Sequence, residues 1–187
     1  MKVYVVRHGE SETNAKGLWT GWVNVHLTDL GREQAQKVGN FLKDIPFDKI
    51  YSSDLVRAME TAENAIPGCS CETSELIREI NVGSIAGKPF SVVTGEQRAI
   101  IEQKGFELFD GETQKELANR VLKFMKKLEA ETWENVALFT HGGWIRAFLD
   151  AVTRVHIPKK SVCCKNCLVA IFEYEDDIWR LHSWINI

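Results

Sequence analysis

Lys2-Val3-Tyr4-Val5-Val6-Arg7-His8-Gly9-Glu10-Ser11 is the stretch that decides the fold. Its apolar part, Lys2 to Val6, is short and rich in β-branched residues, which predicts a strand buried on both faces. The strand stops at Arg7 and His8, so groups able to do chemistry are delivered directly off its carboxyl end. Working outward, Thr28 is placed to cap a helix on which Gln34, Ala35, Val38, Phe41 and Leu42 recur at helical spacing, with Pro46 as its stop. Phe47–Ser52 reads as a second strand, and Ser53 or Asp54 as the cap of a helix running to about Ala65 and closed by Pro67-Gly68. The clearest helix covers Thr113 to Glu131, with Leu117, Val121, Leu122, Met125 and Leu128 on one stripe. Asn135–Thr140 repeats the buried-strand pattern and leads through a Gly-Gly turn into an apolar helix from Trp144 to Val152. Cys167–Glu175 and Trp179–Ile185 read as two final strands around an Asp-Asp turn, a hairpin.

Strands that alternate with helices predict an α/β fold: a three-layer α/β/α sandwich on a mostly parallel central sheet. The chain has 187 residues, a length suited to one domain spanning 1–187. Residues 79–111 break the pattern. They are punctuated by glycine, with one helix near Gly95–Gln103, and an excursion of that kind commonly forms a lid or wall of a site.

Composition narrows the function classes. A hydrophobic share of 44% with 26% charged residues is that of a globular protein with a full core. The formal net charge of -3 gives no general attraction for nucleic acid or an anionic membrane, so affinity for an anion has to come from a local cluster. No apolar run is long enough to span a bilayer, and Val3–Val6 is too short for a signal peptide, so a cytoplasmic location is expected. Five cysteines without a secretory signal are expected to be reduced thiols. Cys164-x-x-Cys167, beside Cys163, has the spacing of half a zinc or redox motif. No second ligand pair follows, and Cys69 and Cys71 in a Pro-Gly turn do not supply it, so no metal site is expected.

In open α/β sheets ligands bind beyond the carboxyl ends of the strands. There the sequence puts Arg7-His8-Gly9-Glu10, then Arg57 one turn into its helix, then His141-Gly142-Gly143. Two histidines and two arginines thus meet at one sheet edge from three separate segments. The chemistry that suits them is phosphoryl transfer. A phosphomonoester is nearly dianionic at neutral pH, and guanidinium groups bind its oxygens bidentately. Glycines after His141 open helix N–H groups to an anion. Neutral imidazole is a competent nucleophile, and positive side chains neutralise the transferred group without a cofactor or metal.

Arg7-His8-Gly9-Glu10-Ser11 with Asn14 resembles the arginine-histidine-glycine signature of the histidine phosphatase superfamily, also called the phosphoglycerate mutase-like family. The likeness continues through Leu27-Thr28, Gly31 and Gln34-Ala35. It takes in Tyr51-Ser52-Ser53-Asp54-Leu55, Arg57-Ala58 and Thr61-Ala62, and it closes on Thr140-His141-Gly142-Gly143 and Arg146. The resemblance implies the phosphoglycerate mutase-like fold and roles for single residues. His8 would carry a covalent phosphohistidine intermediate, and Arg7, Arg57 and His141 would form the phosphate pocket around it, with Asn14 on the transferred phosphate. Glu79, ahead of Gly83 and Gly87, would be the general acid and base, with Glu10, Glu12 and Glu75 as the other carboxylates to weigh. Thr20, Gly21 and Gly142 are further substrate-binding candidates. Trp19 and Trp22 are either core aromatics or walls of the substrate side, while His26, His156 and His182 have no motif context.

Within that family the expectation is a metal-independent phosphomonoesterase of the histidine acid phosphatase type, a hydrolase acting on a small phosphorylated metabolite. Thr20-Gly21-Trp22 resembles the cofactor-dependent mutase version of the first loop. However, the chain lacks the longer insertion with paired arginines, having only Arg98, and Val82 stands where mutases carry a tyrosine. Thr13 and Ile85-Ala86-Gly87 depart from the phosphatase pattern and bear on substrate identity. An α-ribazole phosphate or a sugar phosphate remains open, with Phe106, Phe109, Arg98 and Trp144 as residues that would favour an aromatic or sugar group. A non-catalytic phosphate-binding module is the alternative of a different class. A homodimer is left open as the assembly.

Overall fold

The computed structural model describes all of residues 1–187. In chain order its elements are β1 (Lys2–Arg7), α1 (Glu12–Ala15), α2 (Asp29–Leu42), β2 (Lys49–Ser52), α3 (Val56–Ala65) and β3 (Glu72–Thr73), followed by α4 (Gly95–Lys104), α5 (Gln114–Glu129), β4 (Asn135–Thr140), α6 (Gly142–Thr153), β5 (Leu168–Glu175) and β6 (Ile178–Asn186). One sheet takes the order β3-β2-β4-β1-β5-β6. The first four strands in that order are parallel, whereas β5 runs antiparallel to β1 and forms the expected hairpin with β6. The sheet is therefore mixed and mostly parallel.

Alternation along the central strands builds two cores. Val3 and Val5 of β1, with Val136 and Leu138 of β4, face Leu117, Val121, Phe124 and Leu128 of α5 and Trp144, Ile145 and Phe148 of α6. Tyr4, Val6, Ala137 and Phe139 face the opposite way, onto Ala35, Val38 and Leu42 of α2 and Ala62 and Ala65 of α3. Because side chains of a strand alternate in direction, each central strand is apolar throughout and fills both layers. Register then sets the site. Arg7 pairs with Thr140 across the β1–β4 ladder, so His8 and His141 leave the sheet side by side.

Several expectations need correcting. α2 ends at Leu42, ahead of Pro46, and Phe41 on it is exposed. Neither Ser53 nor Asp54 caps α3: its N-cap position is Leu55, without a side-chain cap bond. The Val56 N–H donates instead to Asn24 Oδ1 at 3.1 Å, and the Asp54 carboxylate receives Arg78 Nε at 2.7 Å. Leu122 is 47% exposed and off the α5 core stripe, while Phe124 is fully buried on it. The Gly142-Gly143 pair is not a turn before α6 but its first two residues. The short α1 and β3 were not anticipated.

Candidate active site

His8 sits where β1 ends, and its backbone N–H still donates to the Thr140 carbonyl at 2.9 Å, one step past the ladder. Its ring is buried. Nδ1 lies 2.7 Å from the Gly9 carbonyl oxygen. A carbonyl only accepts, so Nδ1 carries the proton and Nε2 presents its lone pair. Arg57 Nε donates toward that lone pair at 3.3 Å. Gly9 is held by its N–H donating to Thr61 Oγ1 at 3.0 Å. Any larger residue there is excluded, because a Cβ on Gly9 would stand 2.3 Å from the Gly31 carbonyl oxygen at the start of α2.

Arg57, on the first turn of α3, is almost wholly buried. Its Nη1 and Nη2 donate to the Val23 and Gly21 carbonyls at 3.1 and 2.8 Å. Desolvation lowers its pKa to about 10, which leaves it cationic at neutral pH. Arg7 donates Nη1 to the Cys164 carbonyl, and its buried Nε has no acceptor. His141 occupies the N-cap position of α6, fully buried, with neither ring nitrogen partnered. The two imidazoles have their centroids 5.2 Å apart. Burial, then the charge of Arg57, holds both pKa values well below the ordinary histidine value, so both rings are neutral. Buried polar atoms without partners are costly, and here they converge on one point beside two guanidinium groups.

Glu79 follows the 3-10 turn Glu75–Ile77. Its Oε1 accepts from the N–H groups of Ile80 at 3.0 Å and Gly143 at 2.9 Å. The Gly143 N–H at the head of α6 is thus spent on a carboxylate of the chain itself, not left free for a bound anion. A Cβ on Gly143 would stand 2.3 Å from that oxygen. The Glu79 carbonyl receives the Trp22 indole N–H at 2.6 Å and Arg120 Nη2 at 3.2 Å. Of the other carboxylates weighed from sequence, Glu10 accepts from Thr28 Oγ1 at 2.9 Å and Glu75 from Arg78 Nη2 at 3.0 Å. Neither these nor Glu12 line the cavity over His8; Glu79 does.

That cavity measures about 260 Å³. Arg7, His8, Asn14, Thr20, Gly21, Arg57, Glu79 and Gly142 all line it, so the structure brings these predicted positions together. His141 stands directly behind, against His8. Residues 79–111 contribute Glu79, Ile80, Val82, Phe90 and Phe106 to the wall. Trp19 lines the cavity, whereas Trp22 lies outside it beneath the Arg78 guanidinium, 4.9 Å from the ring centroid. Phe109 is not in the wall. Trp144 is a core residue, donating its indole N–H to the Leu76 carbonyl at 2.9 Å. His26, His156 and His182 are exposed and bond Glu60, Asp150 and Ser183.

Three wall or support residues had not been singled out. Asn166 donates Nδ2 to the His8 and Gly9 carbonyls and to Asn14 Oδ1, each at 3.1 Å. With its oxygen occupied, Asn14 is left facing the cavity with its amide donors. Lys159 and Cys164 both line the cavity, the latter also holding Arg7 through its carbonyl. No group of three or more histidine, cysteine, aspartate and glutamate side chains gathers at metal-holding spacing, Cys164 and Cys167 included. Asn166 was legible only as a polar residue next to the cysteines, and its three acceptors lie about 150 residues away in sequence.

The family model for the histidine phosphatase superfamily (branch 1) matches residues 3–187. Among curated relatives, the "Probable phosphoglycerate mutase GpmB" of Salmonella arizonae is 26% identical over 99% of this chain and 90% of its own length. Among solved structures, a phosphoglycerate mutase from Thermus thermophilus shares 29% identity over 100% of this chain and 99% of that one, with a TM-score of 0.78. A phosphoserine phosphatase mutant from Entamoeba histolytica, in complex with phosphoserine, shares 25% identity over 98% and 95%, with a TM-score of 0.83.

Proposed function

We propose that this chain, which belongs to branch 1 of the histidine phosphatase superfamily, is a phosphomonoester hydrolase acting through His8. The observation that carries the reading is the fixed tautomer of that ring. With Nδ1–H committed to the Gly9 carbonyl at 2.7 Å, Nε2 is the nucleophilic atom and faces Arg57 in the floor of the cavity. A phosphate between Arg7, Arg57, His141 and Asn14 has its charge matched by two guanidinium groups and by neutral donors. His8 Nε2 attacks phosphorus, the bond to the ester oxygen breaks, and Glu79 gives its proton to the leaving alkoxide. Glu79 then takes a proton from water, whose oxygen attacks the phosphohistidine and breaks the P–N bond, releasing inorganic phosphate. Arginine and histidine supply the positive charge this sequence needs, so activity is expected to survive dialysis against a strong chelator. Residues 79–111 act as the lid and specificity wall over the site.

The test is turnover of p-nitrophenyl phosphate and an alkyl phosphate by wild type, His8→Ala and Glu79→Gln. His8→Ala should lose at least about 10³-fold in kcat while keeping its thermal midpoint. Glu79→Gln should lose roughly 10²–10⁴-fold on the alkyl ester and much less on the aryl ester, whose leaving group needs little protonation. Retained hydrolysis in His8→Ala would overturn the assignment. Binding of phosphate without turnover of either ester would turn the reading to a phosphate-binding module.

A cofactor-dependent phosphoglycerate mutase is the second reading, favoured by the names of the curated relatives and by Thr20 and Gly21 in the cavity wall. Isomerisation of 3-phosphoglycerate that depends on 2,3-bisphosphoglycerate would establish it. Hydrolysis indifferent to the bisphosphate would dismiss it.

A further inference from the structure

The cavity wall carries more positive charge than one phosphate requires. Arg7 and Arg57 flank His8, and Arg146 and Lys159 join the same wall from α6 and from the 3-10 turn Lys159–Ser161. Against these four cations Glu79 is the lone carboxylate of the lining. The chain does not neutralise the outer pair. Arg146 donates Nη2 to the Val162 carbonyl at 2.9 Å, a neutral acceptor. The carboxylate beside Lys159 is Glu102, and its Oε1 takes the Lys159 backbone N–H at 3.0 Å. The ammonium itself makes none of the chain's ion pairs.

Lys159 keeps much of its stem in solvent, but its ammonium stands at the crowded mouth of the cavity. There desolvation lowers its pKa from the ordinary lysine value. The charge of Arg146 adds to that, against the opposing pull of Glu79 and Glu102. A third polar group shares the wall: the Trp19 indole N–H is buried with no acceptor. Two cations and an orphaned donor, partly withdrawn from water, are unfavourable until an anion answers them.

We infer that Lys159 and Arg146, with the Trp19 indole N–H, form a subsite for a second anionic group, so that the substrate is a compact phosphomonoester bearing a carboxylate or a second phosphate. The inference rests on the phosphomonoesterase reading for what happens at His8, while the outer subsite stands on its own charges. It uses residues that follow the first turn of α6, not a pair of adjacent arginines in an insertion. The cavity volume of about 260 Å³ suits a metabolite of a few carbons better than a nucleotide or a protein side chain in its chain.

The experiment compares kcat/KM for three small esters at low ionic strength: 3-phosphoglycerate, glycerol phosphate, in which a hydroxymethyl replaces the carboxylate, and glycerol 1,3-bisphosphate. Each is run with wild type, Lys159→Met and Lys159→Arg. Wild type should favour the doubly anionic esters over glycerol phosphate by roughly 10- to 100-fold. Lys159→Met should cut that ratio about tenfold, Lys159→Arg should restore most of it, and added salt should shrink it. The ranking of the two anionic esters tells a carboxylate from a second phosphate. A ratio near one in wild type, or one unmoved in Lys159→Met, overturns the subsite while leaving the hydrolase standing. If no ester is turned over, the hydrolase reading fails, and the subsite is judged by binding of 3-phosphonopropionate against propylphosphonate. A roughly tenfold advantage lost in Lys159→Met supports it, and equal affinities overturn it.

Discussion

Two neutral, buried histidines are the most telling residues in this protein, because their burial works against the charge they would carry in acid. Both His8 and His141 have pKa values held well below 6.5 by burial and by Arg57. An unfolded chain protonates both rings as pH falls past about 6.5, whereas the folded chain resists until much lower pH. The unfolded state therefore binds more protons in that window, and stability, complete above about 6.5, declines as pH drops below it. Denaturant titrations at pH 7.5, 6 and 5 should show the loss, and His141→Gln should flatten the slope. No change between pH 7.5 and 5 would mean the rings are not buried neutral. Gly143 makes a second residue-scale argument. Its missing side chain leaves room for the Glu79 carboxylate, which a methyl would meet at 2.3 Å. The obstructed atom is the end of a flexible side chain, so Gly143→Ala should fold with a near-native thermal midpoint while kcat falls roughly 10²-fold as the carboxylate is displaced. The glycine was legible as a partner for an anion, but not that the anion is a carboxylate of the same chain, since nothing in sequence links positions 79 and 143.

At the scale of elements, the strands and long helices were legible because burial on a fixed period writes itself into the sequence. β1 and β4 are apolar throughout since both faces are covered, and α5 shows its stripe except at Leu122. What failed were details settled by distant partners. Asp54 looks like a helix cap but serves Arg78, and the cap it leaves undone comes from Asn24. The segment bearing Glu79 is likewise fixed from afar, by Arg120 on α5. Arg120 Nε and Nη2 reach Glu112 at 2.6 and 2.8 Å, while Nη1 and Nη2 donate to the carbonyls of Leu76, Arg78 and Glu79 at 2.9, 3.1 and 3.2 Å. Glu112 in turn accepts from the Asn81 N–H at 3.1 Å. Arg120→Met leaves a nearly buried Glu112 carboxylate without its partner, a change that typically costs about 3 kcal/mol. Chemical denaturation should show that loss. A fall in kcat larger than the change in KM should accompany it, because the brace positions Glu79 without touching the substrate. Unchanged stability in Arg120→Met would mean the pair is solvated and does not hold the segment.

The molecule as a whole explains why the motifs lie so far apart in sequence. A parallel sheet sends all its strand ends to one edge, and neighbouring strands β1 and β4 are separated in sequence by most of the chain, so the site can be complete only when the sheet is. His8 comes from one end of the chain, His141 from far along it, and Asn166 from just before β5. Folding and phosphate binding are therefore linked: an unfolded chain offers no such cluster, so ligand binds the native state alone. By mass action, phosphate at about 100 times its dissociation constant should add about 2.7 kcal/mol of stability. For a chain of this size that is a rise of roughly 5–10 °C in the thermal midpoint. His8→Ala, with the guanidinium groups intact, should keep most of the shift. Arg57→Met should lose it, since Arg57 is the group that couples the floor of the cavity to the Gly21 and Val23 carbonyls. A midpoint indifferent to phosphate in wild type would mean that the four cations of the cavity answer some anion other than a tetrahedral one.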